Sequence, residues 1–471
     1  MDHNKSELIA TRLHDVIKAR KHQLEDILMA YSGGKPYIDS RLNKFPCETS
    51  TEFRNRKQQA FLSNYLRRIT DQISQSIFAI EPKRNNIDID FYHDVSLTGD
   101  NFGINDLMAE VNKYLTIAGW CWVRVDRLGS PTDEDGNPID QSISLKQQRG
   151  DRIYLSAYSP LQVVDWGFDA VGRLKWVLTE EEFVKDSDSA FEASRKIKAR
   201  TLYQDGEAIV YEIKSDATGK KSAKEIERTS YSYNQPPFIL VGKPSDEPHI
   251  YDDIESIQSS LLNLESSYNY SLWRSHFSVL VISEGCISAM MEQPDVKDSG
   301  EAVDLIISEG RALTEDADSK NLTRYISPSA ADKQVIPDQI QFLKQEIHDT
   351  LGMMLRKPGR QAESAEAKAW DYKQIEAFLK QRANYLQFIE EKIVEMALSI
   401  DPDFEFYDPF YNKDFAIRDL KNELETIILG LGIEGIEDKI KDELRKQAFG
   451  IIASLPSSTI SDEVIDEVDS Q

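Results

Sequence analysis

The 471-residue chain has little of what many classes of protein require. Its three cysteines, Cys47, Cys121 and Cys286, are odd in number and far apart, which disfavours both a disulfide framework and a CxxC metal site. No apolar run approaches the roughly 20 residues that cross a bilayer, and the first seven residues lack the apolar core of a signal peptide. We therefore expect a soluble protein made in the cytoplasm, with no membrane partner.

Catalytic and cofactor motifs are also missing. The sequence has no phosphate-binding G-x-x-x-x-G-K-[ST] loop, no H-E-x-x-H zinc motif and no G-x-S-x-G nucleophile elbow. Its G-x-G-x-x-G, at Gly430, Gly432 and Gly435, lies between two predicted helices, so we interpret it as a linker. The sequence therefore predicts no catalytic residue, no metal site and no cofactor. An unrecognised hydrolase built on the many carboxylates stays open as an alternative.

Acidic residues are in large excess, with 81 Asp and Glu against 56 Lys and Arg and a net charge of -25. A broad surface of this sign repels DNA, which disfavours recognition through the grooves. An acidic wall would nevertheless suit a channel through which DNA must slide without sticking. The charge by itself also fits simple solubility.

The first half of the chain changes from a helical to a strand-like pattern near Gly119. Helical spacing predicts helices over 9–31, ended by Gly33-Gly34, over 52–77 and over 105–117, with a loop over 35–50. Period-two runs then predict strands over 121–126, 153–158, 162–166, 174–183, 199–204, 208–214, 227–233 and 238–241. Turn residues such as Asp205-Gly206 separate these runs, so we predict an antiparallel β region between helices.

The second half contains two helices on either side of a small α/β unit. A helix is predicted over 251–272, strands over 279–283, 302–307 and 321–326, and a second helix from Pro337. A basic loop with Arg356, Lys357 and Arg360 follows. Cations after a helix C-terminus are favoured by the helix dipole, so the charge of this loop is ambiguous when taken alone.

A long helix opens near Ser364 and continues past residue 398. It is expected to span roughly 50 Å, a length typical of a spine or a subunit interface. A short strand over 405–407 and helices over 413–428 and 436–453 complete the pattern, and we expect a flexible acidic tail after them.

This order of elements resembles the portal proteins of tailed bacteriophages. Short strings look similar to that family too, including Tyr31-Ser32-Gly33-Gly34-Lys35, Gly119-Trp120-Cys121-Trp122-Val123 and Ser364-Ala365-Glu366-Ala367-Lys368. The resemblance implies an α+β, portal-like fold, with a wing that contains the antiparallel β region, stem helices that bracket a small α/β clip, a long spine helix and a helical C-terminal crown. Its boundaries would be 1–245 for the wing, 246–277 for stem helix 1, 278–335 for the clip, 336–353 for stem helix 2, 354–366 for the tunnel loop, 364–412 for the long wing helix and return strand, 413–455 for the crown and 456–471 for the acidic flexible tail.

The resemblance also implies a function and a set of partners. Such proteins form a homo-oligomeric ring, usually a dodecamer, at one capsid vertex, and double-stranded DNA passes through it during packaging and ejection. The partners would be the terminase large subunit, the head-tail adaptor, the major capsid protein and a scaffold, and the chain would reside in the virion after synthesis in the host cytoplasm.

The resemblance further assigns candidate residues to the channel. Arg356, Lys357 and Arg360 would form the DNA-contacting tunnel loop, and they would touch phosphates without reading bases. Glu346 and Asp349 are candidates for an acidic, non-adhesive wall. Another virion structural or adaptor protein is the second alternative, beside the hydrolase.

Overall fold

The computed structural model of the chain describes residues 3–46, 48–96, 100–127, 152–185, 195–216, 219–231, 235–276, 279–283, 312–315, 324–326, 335–350, 365–415, 441 and 445–446. The chain divides into two compact units, one formed by Met1–Ala362 and Phe378–Lys413 and the other by Glu363–Ala377 and Asp414–Gln471. Helices and antiparallel sheets occur together in the described part. The predicted α+β class is therefore confirmed.

The described residues before Gly119 are mainly helical. They form α1 (His3–Thr11), α2 (Asp15–Ser32), α3 (Gly34–Arg41), α4 (Ser50–Gln59), α5 (Tyr65–Ile77), α6 (Ile89–His93) and α7 (Ile104–Ala118). Gly33, with φ +63°, ends α2 as predicted. The helix predicted over 105–117 is confirmed by α7.

Two helices predicted as continuous are each split in two, and this is a correction. The helix predicted over 9–31 is interrupted before His14, which caps the start of α2. The His14 N–H donates to the Val164 carbonyl at 2.8 Å, and its ring accepts a hydrogen bond from the Val16 N–H. Asn64 starts α5 because its side chain accepts from the Arg67 N–H at 2.9 Å. Apolar spacing does not report such caps.

The loop predicted over 35–50 is wrong for its first residues, which form α3. Pro36 lies in the first turn of that helix, where backbone N–H groups have no intrahelical acceptor, so the missing N–H of proline costs nothing there.

Strands dominate the described residues between α7 and residue 242. They are β2 (Trp120–Arg127), β3 (Ile153–Tyr158), β4 (Val163–Phe168), β5 (Leu174–Lys185), β6 (Arg195–Gln204), β7 (Glu207–Ser215), β8 (Lys221–Ser230) and β9 (Phe238–Gly242), after the short β1 (Lys83–Asn85). Three of them form a sheet in the order β3-β2-β9, and five form a sheet in the order β4-β5-β6-β7-β8. Every pairing in both sheets is antiparallel, which confirms the predicted β region. The last strand of the larger sheet begins earlier than predicted. Its start was missed because its exposed, charged residues show no apolar alternation.

The smaller sheet lies between α7 and the larger sheet. On one face of β2, the Cys121 thiol contacts the Val111 carbonyl of α7. On the other face, the Trp122 ring lies 5.3 Å from the Trp166 ring of β4. Helix α1 covers the far face of the larger sheet, where Ile9 and Ala10 pack with Leu178 and other apolar side chains.

The remaining described elements are α8 (Ile250–His276), β10 (Val279–Ser283), β11 (Ala312–Glu315), β12 (Arg324–Ile326), α9 (Val335–Thr350), α10 (Ala365–Ile400) and β13 (Asp408–Phe410). The two predicted bracketing helices, the long helix and the strand over 279–283 are confirmed. The strand predicted over 405–407 lies instead at β13, which includes Pro409 and pairs with β1. Residues 302–307 and nearly all of the predicted C-terminal helices and tail lie outside the described part, and the described residues 413–415 are not helical.

Candidate functional site

The two proposed wall residues, Glu346 and Asp349, lie on α9. Helices α8 and α9 pack against each other, although about 60 residues separate them in sequence. Leu261 and Leu262 of α8 and Ile347 of α9 are at most 1% exposed. The Lys344 ammonium of α9 lies 3.1 Å from the Glu265 carboxylate of α8, so an ion pair joins the two helices. The packed pair is therefore a defined structural unit.

A small mixed sheet is inserted in sequence between these two helices. Strand β10 begins two residues after α8 ends, and it pairs with β11 in parallel and with β12 in antiparallel orientation. Strand β12 precedes α9. The described residues thus form a helix, a three-stranded sheet and a second helix, in that order along the chain.

Helix α8 is fixed to the N-terminal helices by polar side chains along its length. At its start, the Arg20 guanidinium of α2 lies 2.8 Å from Asp252. About one turn further along, the Tyr37 hydroxyl of α3 donates to Glu255 at 3.1 Å, and burial raises the pKa of that carboxyl. Further along, the buried Arg56 of α4 donates to the Ser266 hydroxyl at 3.0 Å. Side chains of α2, α3 and α4 therefore hold α8 at several points along its length.

Arg56 has its own carboxylate partner. Its guanidinium binds both oxygens of Glu48, at 2.8 and 2.9 Å, and both side chains are 2% exposed. The hydrogen bond from Arg56 lowers the pKa of Glu48 below its usual value. This pair secures the loop before α4 against α8, and the sequence alone contained no sign of it.

The two predicted wall residues differ in their surroundings. Glu346 is partly buried on α9, whereas Asp349 is exposed. The Gln345 amide nitrogen lies 3.5 Å from an Asp349 carboxylate oxygen, and the His348 ring contacts the Tyr65 ring edge-on at 6.3 Å. The tunnel-loop candidates Arg356, Lys357 and Arg360 lie outside the described residues.

The part of the long helix in the first unit, from Phe378 onward, is anchored by a buried polar cluster. Arg84 of β1 binds both oxygens of Glu390 on α10, and the Tyr407 and Tyr411 hydroxyls donate to the same carboxylate at 3.1 and 2.6 Å. Nearer the N-terminus of the helix, the Tyr385 hydroxyl accepts a hydrogen bond from the Gly242 N–H at 2.8 Å. These contacts hold α10 against β1 and β9.

A cleft between α1, α2 and β4 contains polar side chains of the kinds that enzymes use. It is lined by Arg12, His14, Asp165 and neighbouring residues. The His14 ring stacks on Trp166 at 3.8 Å, and Arg12 forms an ion pair with Asp165. Burial lowers the pKa of His14, against the opposing effect of Asp165. Each of these polar groups is therefore engaged in holding the fold.

Two other kinds of feature are absent from the described residues. No cluster of three His, Cys, Asp or Glu side chains there is arranged to hold a metal ion. No helix of that part is both long and apolar enough to cross a membrane.

Comparisons with known proteins show no family for this chain. No protein-family model matches the chain, and no curated protein matches it at a significant level.

Proposed function

We propose that the protein is the portal protein of a tailed bacteriophage, a ring-shaped channel for double-stranded DNA at one capsid vertex. The observation that carries this proposal is the packed pair α8 and α9, which brackets the small sheet β11-β10-β12 in sequence. A β-rich region with N-terminal helices precedes the pair, and a long helix follows it. This is the order of wing, stem, clip, stem and spine.

The charge of the chain supports passage of DNA rather than tight binding. The net charge of -25 disfavours adhesion of a polyanion, and Glu346 and Asp349 add carboxylates to the C-terminal half of α9. The basic loop with Arg356, Lys357 and Arg360 then supplies a narrow collar of cations in each ring. Such a collar contacts phosphates of any sequence.

The proposed partners follow from the ends of the channel. The clip end docks the terminase large subunit during packaging and the head-tail adaptor afterwards. The wing faces the major capsid protein and the scaffold at the vertex. The same proposal includes virion localisation and a ring of usually twelve copies. A ring is expected because a heterologous interface closes only when it repeats around an axis.

The role of the basic loop is tested by the triple variant Arg356→Ala, Lys357→Ala, Arg360→Ala. We expect it to assemble rings like the wild type but to package or retain less DNA in an in vitro packaging reaction, with a weaker dependence on salt. A matched control removes three exposed lysines of the larger sheet, Lys214, Lys221 and Lys224, and leaves packaging unchanged. Loss of ring assembly would make the loop a structural element, and normal packaging would exclude DNA contact.

A further inference from the structure

Two open strand edges lie on either side of one cleft. Strand β3 is at the edge of the smaller sheet, whose order is β3-β2-β9, so within the described residues it pairs on one side alone. The pairing of β5 with β4 ends at Thr179, whereas its pairing with β6 continues to Lys185. Residues 180–185 of β5 therefore form a second edge without a neighbouring strand in that part of the chain.

The cleft follows these edges instead of crossing the face of a sheet. Its volume is about 500 Å³, and it is lined by three consecutive residues of each strand and two others: Ser156, Ala157, Tyr158, Glu180, Glu181, Glu182, Gln162 and Lys198. Successive side chains of a strand point to opposite faces, so a cavity that contacts three residues in a row lies beside the strand. The volume falls within the roughly 300 to 1,000 Å³ of clefts that hold ligands. We call this space the β3–β5 cleft.

Hydrogen bonds show which backbone groups face the β3–β5 cleft. The Leu155 N–H donates at 2.8 Å to a carbonyl outside the smaller sheet, and the Glu180 N–H donates at 2.7 Å to the Gln162 carbonyl, away from β6. In an antiparallel pair every second residue turns its N–H and C=O away from the partner strand, so Ala157 and Glu182 do the same. No described residue bonds to these outward groups of Ala157 and Glu182. Such edges are templates for a further strand.

The side chains around the β3–β5 cleft select the charge of an occupant. Glu182 is exposed and has no ion pair or hydrogen bond with any described residue. Its cross-strand neighbour Lys198 binds Glu180 instead, at 2.8 Å. Burial raises the pKa of Tyr158, and its hydrogen bond to Glu181 acts in the same direction, so Glu181 already has a partner. The carboxylate of Glu182 is therefore the one that a cation brought by an occupant can pair with.

We propose that the β3–β5 cleft binds an extended segment of a partner protein that carries lysine or arginine side chains. The segment pairs with Ala157 on one side and with Glu182 on the other, and one of its cations contacts the Glu182 carboxylate. Main-chain hydrogen bonds supply affinity and side chains supply selectivity in this mode of recognition. A second copy of this chain, with its net charge of -25, is the less complementary occupant. The inference goes beyond the proposed function and does not require a ring.

The first test measures binding of a short extended probe. The probe is the blocked peptide Thr-Lys-Val-Lys-Val-Lys-Thr, titrated calorimetrically into the full-length chain. We expect it to bind about tenfold or more tightly than the same peptide with glutamate in place of lysine. N-methylation of the two valine nitrogens removes main-chain donors and is expected to weaken binding by about tenfold or more. Equal binding of the lysine and glutamate peptides, or no binding of the lysine peptide, would overturn the proposal.

Hydrogen exchange locates the bound peptide. We expect the Ala157 and Glu182 amides to exchange rapidly in the free chain and about tenfold or more slowly with the lysine peptide. The Val177 amide, which lies where β5 pairs with both β4 and β6, is the internal control and stays unchanged. Slow exchange of the Ala157 and Glu182 amides in the free chain would mean that its own residues fill the cleft. Slowing that depends on the concentration of the chain alone would identify a second copy, and either result contradicts the proposal.

A charge reversal tests the selectivity. We expect Glu182→Lys to weaken binding of the lysine peptide by about tenfold or more and to strengthen binding of the glutamate peptide. The control Glu227→Lys reverses an exposed glutamate of β8, outside the lining of the cleft, and is expected to change neither affinity. Equal effects of the two variants would show that the charge of Glu182 does not select the occupant, and the proposal would fail.

A backbone variant tests the pairing with β3. Proline at position 157 removes an N–H that points away from β2, and edge strands accept proline at such positions. We expect Ala157→Pro to weaken binding of the lysine peptide by about tenfold, whereas Ala157→Ser, which keeps the N–H, binds like the wild type. Full affinity in Ala157→Pro would exclude β3 from the site. If Ala157→Pro lowers the thermal midpoint, the Glu182→Lys variant, which changes an exposed side chain, decides the outcome.

Discussion

Arg84 and Glu390 form a two-point ion pair in the interior, with Nε 2.5 Å from Oε1 and Nη2 3.0 Å from Oε2, although 306 residues separate them. The Arg84 side chain is 1% exposed and the Glu390 side chain is fully buried. Arg84 also donates to the Asn105 side chain at 2.8 Å. One carboxylate thereby connects the long helix to β1 and, through Arg84, to α7.

Replacement of that carboxylate tests the anchor directly. We expect Glu390→Gln to lower the free energy of unfolding by about 3 to 5 kcal/mol, because it leaves the Arg84 charge buried without its partner. Urea denaturation measures the change. The control Glu391→Gln alters the adjacent exposed residue and is expected to change stability by less than about 0.5 kcal/mol. Equal effects of the two variants would contradict the anchoring role.

The ion pair between α8 and α9 gives a second prediction. Lys344→Met keeps the aliphatic stem but removes the cation from Glu265, whose side chain is 8% exposed. Since Ser63 still donates to Glu265 at 3.2 Å, we expect a loss of about 1 to 3 kcal/mol. Lys392→Met breaks the exposed pair with Glu395 and is expected to cost less than about 0.5 kcal/mol. If Lys344→Met were as mild as this control, the pair would not hold the two helices together.

Two glycines with the same backbone conformation provide a matched pair. Gly242 and Gly172 both have φ +84°, but a Cβ on Gly242 would overlap the Gly119 carbonyl oxygen, whereas a Cβ on Gly172 would have no atom within 4 Å. We expect Gly172→Ala to cost about 1 kcal/mol from conformation alone. We expect Gly242→Ala to cost at least about 3 kcal/mol, since β9 must also shift. Similar thermal midpoints for the two variants would be inconsistent with this close approach.

The lowered pKa of His249 predicts a specific dependence of stability on pH. Burial is the largest cause of that shift, so the folded state resists protonation more than the unfolded state, whose pKa is near 6.5. Between about pH 7.5 and 5.5 the unfolded chain binds more protons, and the free energy of unfolding therefore falls as the pH falls. His14 contributes in the same direction.

Variants of two histidines test the origin of that slope. His249→Gln is expected to flatten the decline in stability between pH 7.5 and 5.5, as measured by urea denaturation at each pH. His22, whose side chain is 94% exposed, provides the control, and His22→Gln is expected to leave the slope unchanged. A slope unaffected by His249→Gln would mean that His249 does not contribute to it.

The parts of the fold that were predictable are those with a local signal. Apolar residues recur at helical spacing around Leu261 in α8 and around Ile347 in α9, so both helices were predicted to within a few residues. The period-two alternation around Val123 likewise predicted β2. Caps and breaks were missed where their partner is distant. His14 caps the start of α2 and donates its N–H to the Val164 carbonyl, and no window of sequence around His14 contains Val164.

Several features of the candidate site also depend on contacts between residues that are far apart in sequence. Glu346 and Asp349 were predicted as a pair, yet one is partly buried and the other exposed, because helix rotation is decided by packing against α8. The pairing of Arg84 with Glu390 depends on a contact between residues that are far apart in sequence. Composition counted these charges without showing which were satisfied.

The most direct test of the account is the native mass of the purified full-length chain, measured by mass photometry and followed by electron microscopy of the same sample. The account predicts a closed ring with an axial hole and, for twelve copies of a 53.8 kDa chain, a mass of about 650 kDa. A monomer or dimer across the accessible concentrations, or particles without an axial hole, would contradict it.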